Sequence, residues 1–160
     1  MDHKKSILLN AFVEYLRSLL AMAEESFTYE SVFRYLRTGL SGFTDDEVDR
    51  MENYCLALGI KGYRKWQQAW VRRTPMISEE ELGELNHLRV RFVEKVDTLV
   101  FVLKQRSKTV RDVTLAICEF LEKEEIQKRV KVLENQFTEA GEHCTCKRIC
   151  TDLSCGDGAV

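Results

Sequence analysis

Proline is almost absent from the sequence. Pro75 is the single proline among 160 residues, and most of the others are good helix formers. Because proline interrupts the backbone hydrogen bonding of a helix, its scarcity leaves long stretches free to form helices. We therefore predict an all-α protein, which at this length forms one domain and could bury roughly 68–70% of its unfolded surface.

Long apolar runs and a strong excess of one charge are also missing. No run reaches the ~18 consecutive apolar residues that suggest a membrane-spanning helix. Near the start, Asn10, Glu14 and Arg17 interrupt the apolar residues that follow a basic patch, which argues against a signal peptide. The net charge is −2, so no global field attracts nucleic acid. These absences predict a soluble protein of the reducing cytoplasm with no membrane partner.

Familiar catalytic motifs are missing as well. The stretch "GIKGYRKW" has two glycines but lacks the GxxxxGK[ST] pattern of a phosphate-binding loop. There is no His-Glu-x-x-His and no nucleophile elbow, and His3 and His87 stand alone. The acidic stretches "SEEELGE" and "EKEE" fit helix starts and solvated faces, where carboxylates favour the positive end of the helix dipole. We predict no catalytic residue, no cofactor-binding residue and no metal ligand.

Apolar spacing and capping residues predict a series of helices. Two sequence patterns, Thr44–Glu47 and Ser78–Glu81, are typical of capping boxes. Cys55 and Cys118 fall on apolar helix faces, so we predict that both are core thiols. The predicted helices run over about 6–24, from Thr28 to Gly39 and Gly42, from Thr44 to Gly59, from Ser78 to about Gln105, from Thr109 through Phe120, and along Ile126, Val130, Leu133 and Phe137 as a final helix or a continuation.

One short segment combines basic and aromatic residues. Basic side chains neutralise phosphates, and aromatic rings stack on unpaired bases, so the segment is a candidate nucleic-acid contact. The alternative, which we favour, is that Trp66 and Trp70 pack into the core through their i, i+4 spacing while the charges stay in water. The candidate contact residues are Lys61, Arg64, Lys65, Trp66, Trp70, Arg72 and Arg73, with Tyr63 among them.

Two blocks in this part of the chain resemble one family closely. They are "FTYESVFRYLRTGL", over 27–40, and "DRMENYCLALGIKGYRKW", over 49–66. They are similar, in order and spacing, to the B subunit of the bacterial AddAB ATP-dependent helicase–nuclease of the type found in Firmicutes. The start, "MDHKKSILLNAFVEYLRSLL", resembles the stretch where that subunit enters the equivalent of the inserted 2B domain of superfamily 1 helicases. The resemblance covers about residues 1–142.

The resemblance implies a role as part of a much larger enzyme. The family's subunit has a P-loop, a helicase-like core and a nuclease domain with an iron–sulphur cluster, and it depends on ATP, Mg²⁺ and a 4Fe–4S cluster. It works with an A subunit on DNA, processing ends at double-strand breaks for recombinational repair. None of its P-loop, nuclease carboxylates or cluster cysteines has a matching position here. We therefore expect residues 1–142 to be a helical, internal fragment without catalysis of its own, acting as scaffold around the DNA path and the partner subunit.

A cysteine-rich tail follows where the family resemblance stops. Cys144, Cys146, Cys150 and Cys155 lie beside His143, with spacings that match neither the family's cluster cysteines nor the paired CxxC knuckles of zinc sites. With suitable codons, a frame shifted by one base gives an amphipathic, helix-forming sequence that looks like the family's continuation. We predict that residues 143–160 are a disordered, frameshifted tail.

Two other interpretations stay open at this point. In the first, the chain is a small autonomous helical regulator whose cysteine tail senses zinc or redox state. In the second, it is a free-standing helical module that binds DNA through Lys61–Arg73.

Overall fold

The protein is described here by a computed structural model that covers residues 2–133, 135 and 136, with side chains from residue 10 onward. All regular structure in these residues is helical, which confirms the all-α prediction. The helices are α1 (Asp2–Glu24), α2 (Tyr29–Leu36), α3 (Asp45–Leu58), α4 (Tyr63–Gln67), α5 (Glu79–Lys104) and α6 (Val110–Lys123), followed by a further helical stretch at 126–133. The predicted tail at 143–160 and Phe137 of the last predicted helix lie outside the residues that the structure describes.

Helix α5 is the central element. It contacts α1, α3, α4 and α6, and its buried stripe lines the core. The aromatic ring of Phe92, halfway along α5, is completely buried. Rings from four other parts of the chain pack around it, and they belong to Phe27, Tyr35, Phe43 and Trp66. Helix α5 therefore organises the core.

No helix in the described part of the chain has the length and apolar character to cross a membrane.

Hydroxyl side chains begin four of the helices. Thr28, Thr44, Ser78 and Thr109 each accept a hydrogen bond from the backbone N–H three residues later, which satisfies a donor that the helix leaves unpaired. At Thr44 the predicted capping box is complete, since the Glu47 carboxylate accepts the Thr44 N–H at 2.9 Å.

Two predictions about these helix starts need correction. At Ser78 the cap is present, but the Glu81 carboxylate does not accept the Ser78 N–H in return. A complete box forms instead at Thr109, where the shorter Asp112 side chain accepts the Thr109 N–H at 2.8 Å. The first helix also begins at Asp2 rather than near Ser6.

The two cysteines predicted to be core thiols behave differently. Cys55 is buried among the helices, as predicted, and burial raises the pKa of its thiol to about 12. Cys118 is exposed, so its prediction is wrong. The buried residues of α6 are Ala116 and Phe120, and Cys118 lies about 200° around the helix from each.

The chain after α6 turns rather than continuing the helix. Glu125 adopts φ 49°, in the left-handed region, and the next helical stretch begins at 126. A non-glycine residue with this conformation interrupts a right-handed helix. The last predicted stripe is therefore a separate helix, within the described residues, and not a continuation of α6.

A hydrogen bond joins the turn between α2 and α3 to the helical stretch at 126–133. The Arg129 guanidinium donates to the Leu40 carbonyl at 3.0 Å and lies against Gly42, whose φ is +78°. A Cβ at Gly42 would approach the Arg129 guanidinium to 2.6 Å. At Gly39, with a similar φ of +76°, a Cβ would meet nothing within 4 Å.

We expect Gly42→Ala to destabilise the protein more than Gly39→Ala. Both substitutions place a side chain in the left-handed region, at a cost of about 1–2 kcal/mol. Only at Gly42 must the end of the Arg129 side chain also move and give up its hydrogen bond to the Leu40 carbonyl, which adds about 0.5–1.5 kcal/mol. Urea unfolding of the two variants measures the difference, and equal losses would show that Arg129 moves aside freely.

Candidate nucleic-acid interface

The segment 61–73 begins at a turn that the first two helices hold in place. Gly62, with φ 91°, precedes the short helix α4, and its N–H donates to the Phe27 carbonyl at 2.9 Å. Phe27 itself is buried in the left-handed region at φ 62°, and its ring packs 4.9 Å from that of Tyr63. The turn between α1 and α2 thus supports the start of the segment.

Both tryptophans of the segment are buried. Trp66 is 1% exposed and Trp70 is 4% exposed. Their ring centroids lie 5.2 Å apart, and Trp70 also stacks on Tyr54 at 4.8 Å. The prediction that the tryptophans pack into the core is confirmed. In this conformation their rings are not available to stack on unpaired bases.

The third aromatic residue of the segment is also engaged. The Tyr63 hydroxyl donates to the Asp97 carboxylate, and the Lys104 ammonium lies 4.2 Å from the centre of the Tyr63 ring. Partial burial and the bond to Asp97 raise the pKa of Tyr63 to about 12. Tyr63 therefore fastens the helix α4 to the C-terminal half of α5.

An asparagine on α5 binds the backbone beyond α4. The Asn86 Oδ1 accepts the Trp70 N–H at 2.9 Å, and the Asn86 Nδ2 donates to the Trp70 carbonyl at 2.8 Å. Two residues later, the Tyr54 hydroxyl donates to the Arg72 carbonyl at 2.8 Å. Side chains thus supply hydrogen bonds that the extended backbone would otherwise obtain from a neighbouring strand or from water.

An arginine lies buried beneath α4. Arg89 is 7% exposed, and its Nη1 donates to the Trp66 carbonyl at 2.7 Å while its Nε donates to Asn86 Oδ1 at 3.1 Å. Burial lowers the pKa of Arg89 from its usual range. No carboxylate lies within ion-pair distance of this guanidinium in the described part of the chain.

The five cations of the segment lie on the outside. All of them are exposed, and Arg73 is paired with Glu79 at 3.4 Å, which is a long contact between exposed groups. The other four have no ion-pair partner among the residues that the structure describes. These unpaired cations are Lys61, Arg64, Lys65 and Arg72.

The structure therefore divides the predicted contact residues into two groups. The tryptophans anchor the segment and the cations face solvent, so the arrangement can attract phosphates but has no open tryptophan ring for stacking. Nucleic-acid contact at these residues stays a prediction. Sequence reasoning did not find Asn86 and Arg89, although one signal was available. Both are polar residues on or beside the apolar stripe of α5, between Leu85 and Phe92.

No group of three or more metal-binding side chains occurs within the part of the chain that is described. The cysteine tail, to which the sequence assigned the possible zinc or redox site, lies outside it.

Comparison with known proteins identifies relatives of most of the chain. The B subunit of the ATP-dependent helicase/deoxyribonuclease of Lachnoclostridium phytofermentans is 34% identical over 142 residues, which cover 89% of this chain. Proteins of the same name in Clostridium novyi and Desulforamulus reducens are 35% and 33% identical, each over 88% of this chain. The chain is homologous to a segment of this B subunit. No family model matches the sequence.

The homologous segment is a small part of the relatives. The matches cover 12% of the Lachnoclostridium and Clostridium novyi proteins and 13% of the Desulforamulus protein. The identities of 33–35% to these proteins confirm the predicted resemblance to the B subunit. The equivalence to a 2B-like region of superfamily 1 helicases, and the division of the chain at residue 142, stay predictions.

Proposed function

We propose that this chain is a helical scaffold segment of the B subunit of an ATP-dependent helicase/deoxyribonuclease that processes DNA ends during double-strand-break repair in the cytoplasm. In this role it corresponds to a 2B-like region beside the DNA path and the partner A subunit. It has no ATPase, helicase or nuclease activity of its own. ATP, Mg²⁺ and the iron–sulphur cluster are bound by other parts of the enzyme.

The segment 61–73 is the DNA-facing part of this scaffold. The observation in its favour is the set of exposed cations without carboxylate partners, mounted on a backbone that is held by buried side chains. A cation that is already paired within the protein must give up its partner before it can bind a phosphate, whereas Lys61, Arg64, Lys65 and Arg72 need not. Contacts of this kind are independent of base sequence and release counterions.

We expect the variant Arg64→Glu/Lys65→Glu to bind single-stranded DNA about tenfold more weakly at low salt. The slope of log affinity against log salt concentration should become shallower by about 0.7 for each phosphate that is no longer bound. Fluorescence anisotropy with a labelled oligonucleotide measures both quantities. Because the two side chains are exposed, the melting temperature should change little.

The matched control is Lys123→Glu/Lys131→Glu, which makes the same change in net charge at exposed lysines of α6 and the last helical stretch. It should retain affinity apart from a small effect of overall charge. Equal weakening by both double variants would mean that the protein attracts DNA only through its net charge. The DNA-facing role of the segment would then be wrong.

A further inference from the structure

Two polar side chains project from α5 toward the core, where apolar residues precede and follow them. Asn86 is half-buried and Arg89 is buried, between Leu85 and Phe92 of the apolar stripe. Burying an amide or a guanidinium is unfavourable unless hydrogen bonds replace those made with water. Their partners therefore indicate why polar residues occupy this part of the helix.

Apart from one bond within α5, these partners belong to the segment 66–70 or to the pair itself. Asn86 binds both backbone groups of Trp70, and Arg89 binds the carbonyl of Trp66. Arg89 also donates to the same Asn86 oxygen that accepts the Trp70 N–H, while the Asn86 Nδ2 donates to Trp70 and to the Leu82 carbonyl. Since a guanidinium can only donate, Arg89 fixes which end of the amide is the oxygen.

The two bound backbone positions lie between two pairs of exposed cations. Arg64 and Lys65 come directly before Trp66, and Arg72 and Arg73 follow Trp70 by two and three residues. Fixing the backbone at residues 66 and 70 therefore fixes the distance between the pairs. A preorganised array of cations binds a phosphate backbone without the entropy loss of ordering a loop on contact.

Arg89 also adds positive charge beneath this array. Its charge has no carboxylate counterpart within the described residues, and an apolar residue would fill the same part of the helix without the cost of burying a charge. The attraction between a buried charge and a nearby anion is screened less by salt than that of an exposed one. A bound phosphate backbone would offset this positive charge.

We propose that Asn86 and Arg89 are positioning residues of a phosphate-binding surface, on which Arg64, Lys65 and Arg72 contact a nucleic-acid backbone. This inference rests on the proposed DNA-facing role of the segment 61–73. It adds that affinity depends on the spacing of the cations, and that two residues remote from the ligand set that spacing.

The decisive variant is Asn86→Ala, because it changes no charge. We expect it to bind a single-stranded oligonucleotide about fivefold or more weakly, with a salt slope shallower by about 0.7 or more, as if one phosphate fewer were bound. Asn53→Ala, at an exposed position on α3, is the control and should retain both values. A residue with only a structural role would lower the melting temperature and leave the salt slope of the folded protein unchanged.

Arg89→Lys is the second variant, and it keeps the charge. An ammonium lacks the planar fork that reaches Trp66 and Asn86 together, so we expect the same shallower slope. Circular dichroism at the assay temperature selects conditions in which each variant is folded. Hydrogen exchange should show faster exchange of the Trp70 amide in Asn86→Ala.

The outcomes separate this inference from the proposed function. If the unmodified protein shows no salt-dependent binding, both are wrong. If Arg64→Glu/Lys65→Glu weakens binding while folded Asn86→Ala and Arg89→Lys retain affinity and slope, the DNA-facing role stands and the positioning role is wrong. The positioning role is supported if the salt slope of binding is shallower in both Asn86→Ala and Arg89→Lys, which leave the net charge unchanged, and is unaltered in Asn53→Ala.

Discussion

Trp66→Ala should lower the free energy of unfolding by about 3–5 kcal/mol, the range for truncating a large buried aromatic side chain. The Trp66 ring is 1% exposed and packs against the rings of Phe33, Trp70 and Phe92 at centroid distances of 6.3, 5.2 and 4.9 Å. These rings belong to different elements, so the space left by the indole cannot be filled by movement of one neighbour. Urea unfolding followed by circular dichroism measures the loss.

The control for Trp66→Ala is Gln68→Ala, an exposed position two residues later. It should change the free energy of unfolding by less than about 0.5 kcal/mol. A loss below about 1 kcal/mol for Trp66→Ala would contradict the burial of the indole and reopen base stacking as its role. Quenching of tryptophan fluorescence by single-stranded DNA in a salt-sensitive manner would then be the expected companion result.

Glu124→Gln should lower the free energy of unfolding by about 2–3 kcal/mol, because it removes the negative charge from a partly buried ionic cluster. The Glu124 carboxylate is 6% exposed, accepts a hydrogen bond from Lys95 at 2.6 Å and forms an ion pair with Arg129 at 3.3 Å. Lys95 and Arg129 also donate to backbone carbonyls of the turn between α2 and α3. Without the Glu124 carboxylate, the half-buried Lys95 ammonium would have only the neutral Ser41 carbonyl as an acceptor in this cluster.

The matched control is Glu122→Gln, the same change at an exposed position two residues earlier. Its effect should stay within about 0.5 kcal/mol. A double-mutant cycle with Lys95→Met isolates the interaction between Lys95 and Glu124. If the coupling energy is near zero and Glu124→Gln behaves like Glu122→Gln, the cluster does not hold the last helical stretch to the rest of the protein.

Local patterns were sufficient for most helices and their starts. The hydroxyls of Thr28, Thr44, Ser78 and Thr109 bind backbone donors only three residues away, so their role depends little on the rest of the fold. The i, i+4 spacing of the tryptophans likewise predicts a shared helical face, although Trp70 lies beyond the end of α4. The resemblance to the B subunit was visible in two short blocks and is confirmed by relatives that match 89% of the chain.

Contacts between distant parts of the chain were not predictable in this way. The sequence alone determined that the chain is helical and where most helices begin, because these follow from hydrogen bonding between near neighbours and from apolar spacing, and it favoured the burial of Trp66 and Trp70 without deciding it. Only the tertiary structure decided that Cys118 faces solvent, that Glu124 joins Lys95 and Arg129, and that Asn86 and Arg89 bind the segment 61–73. The physical reason is that a polar side chain in a core is stable only with a specific partner, and the packing of α5 against its neighbours determines which partner comes within reach.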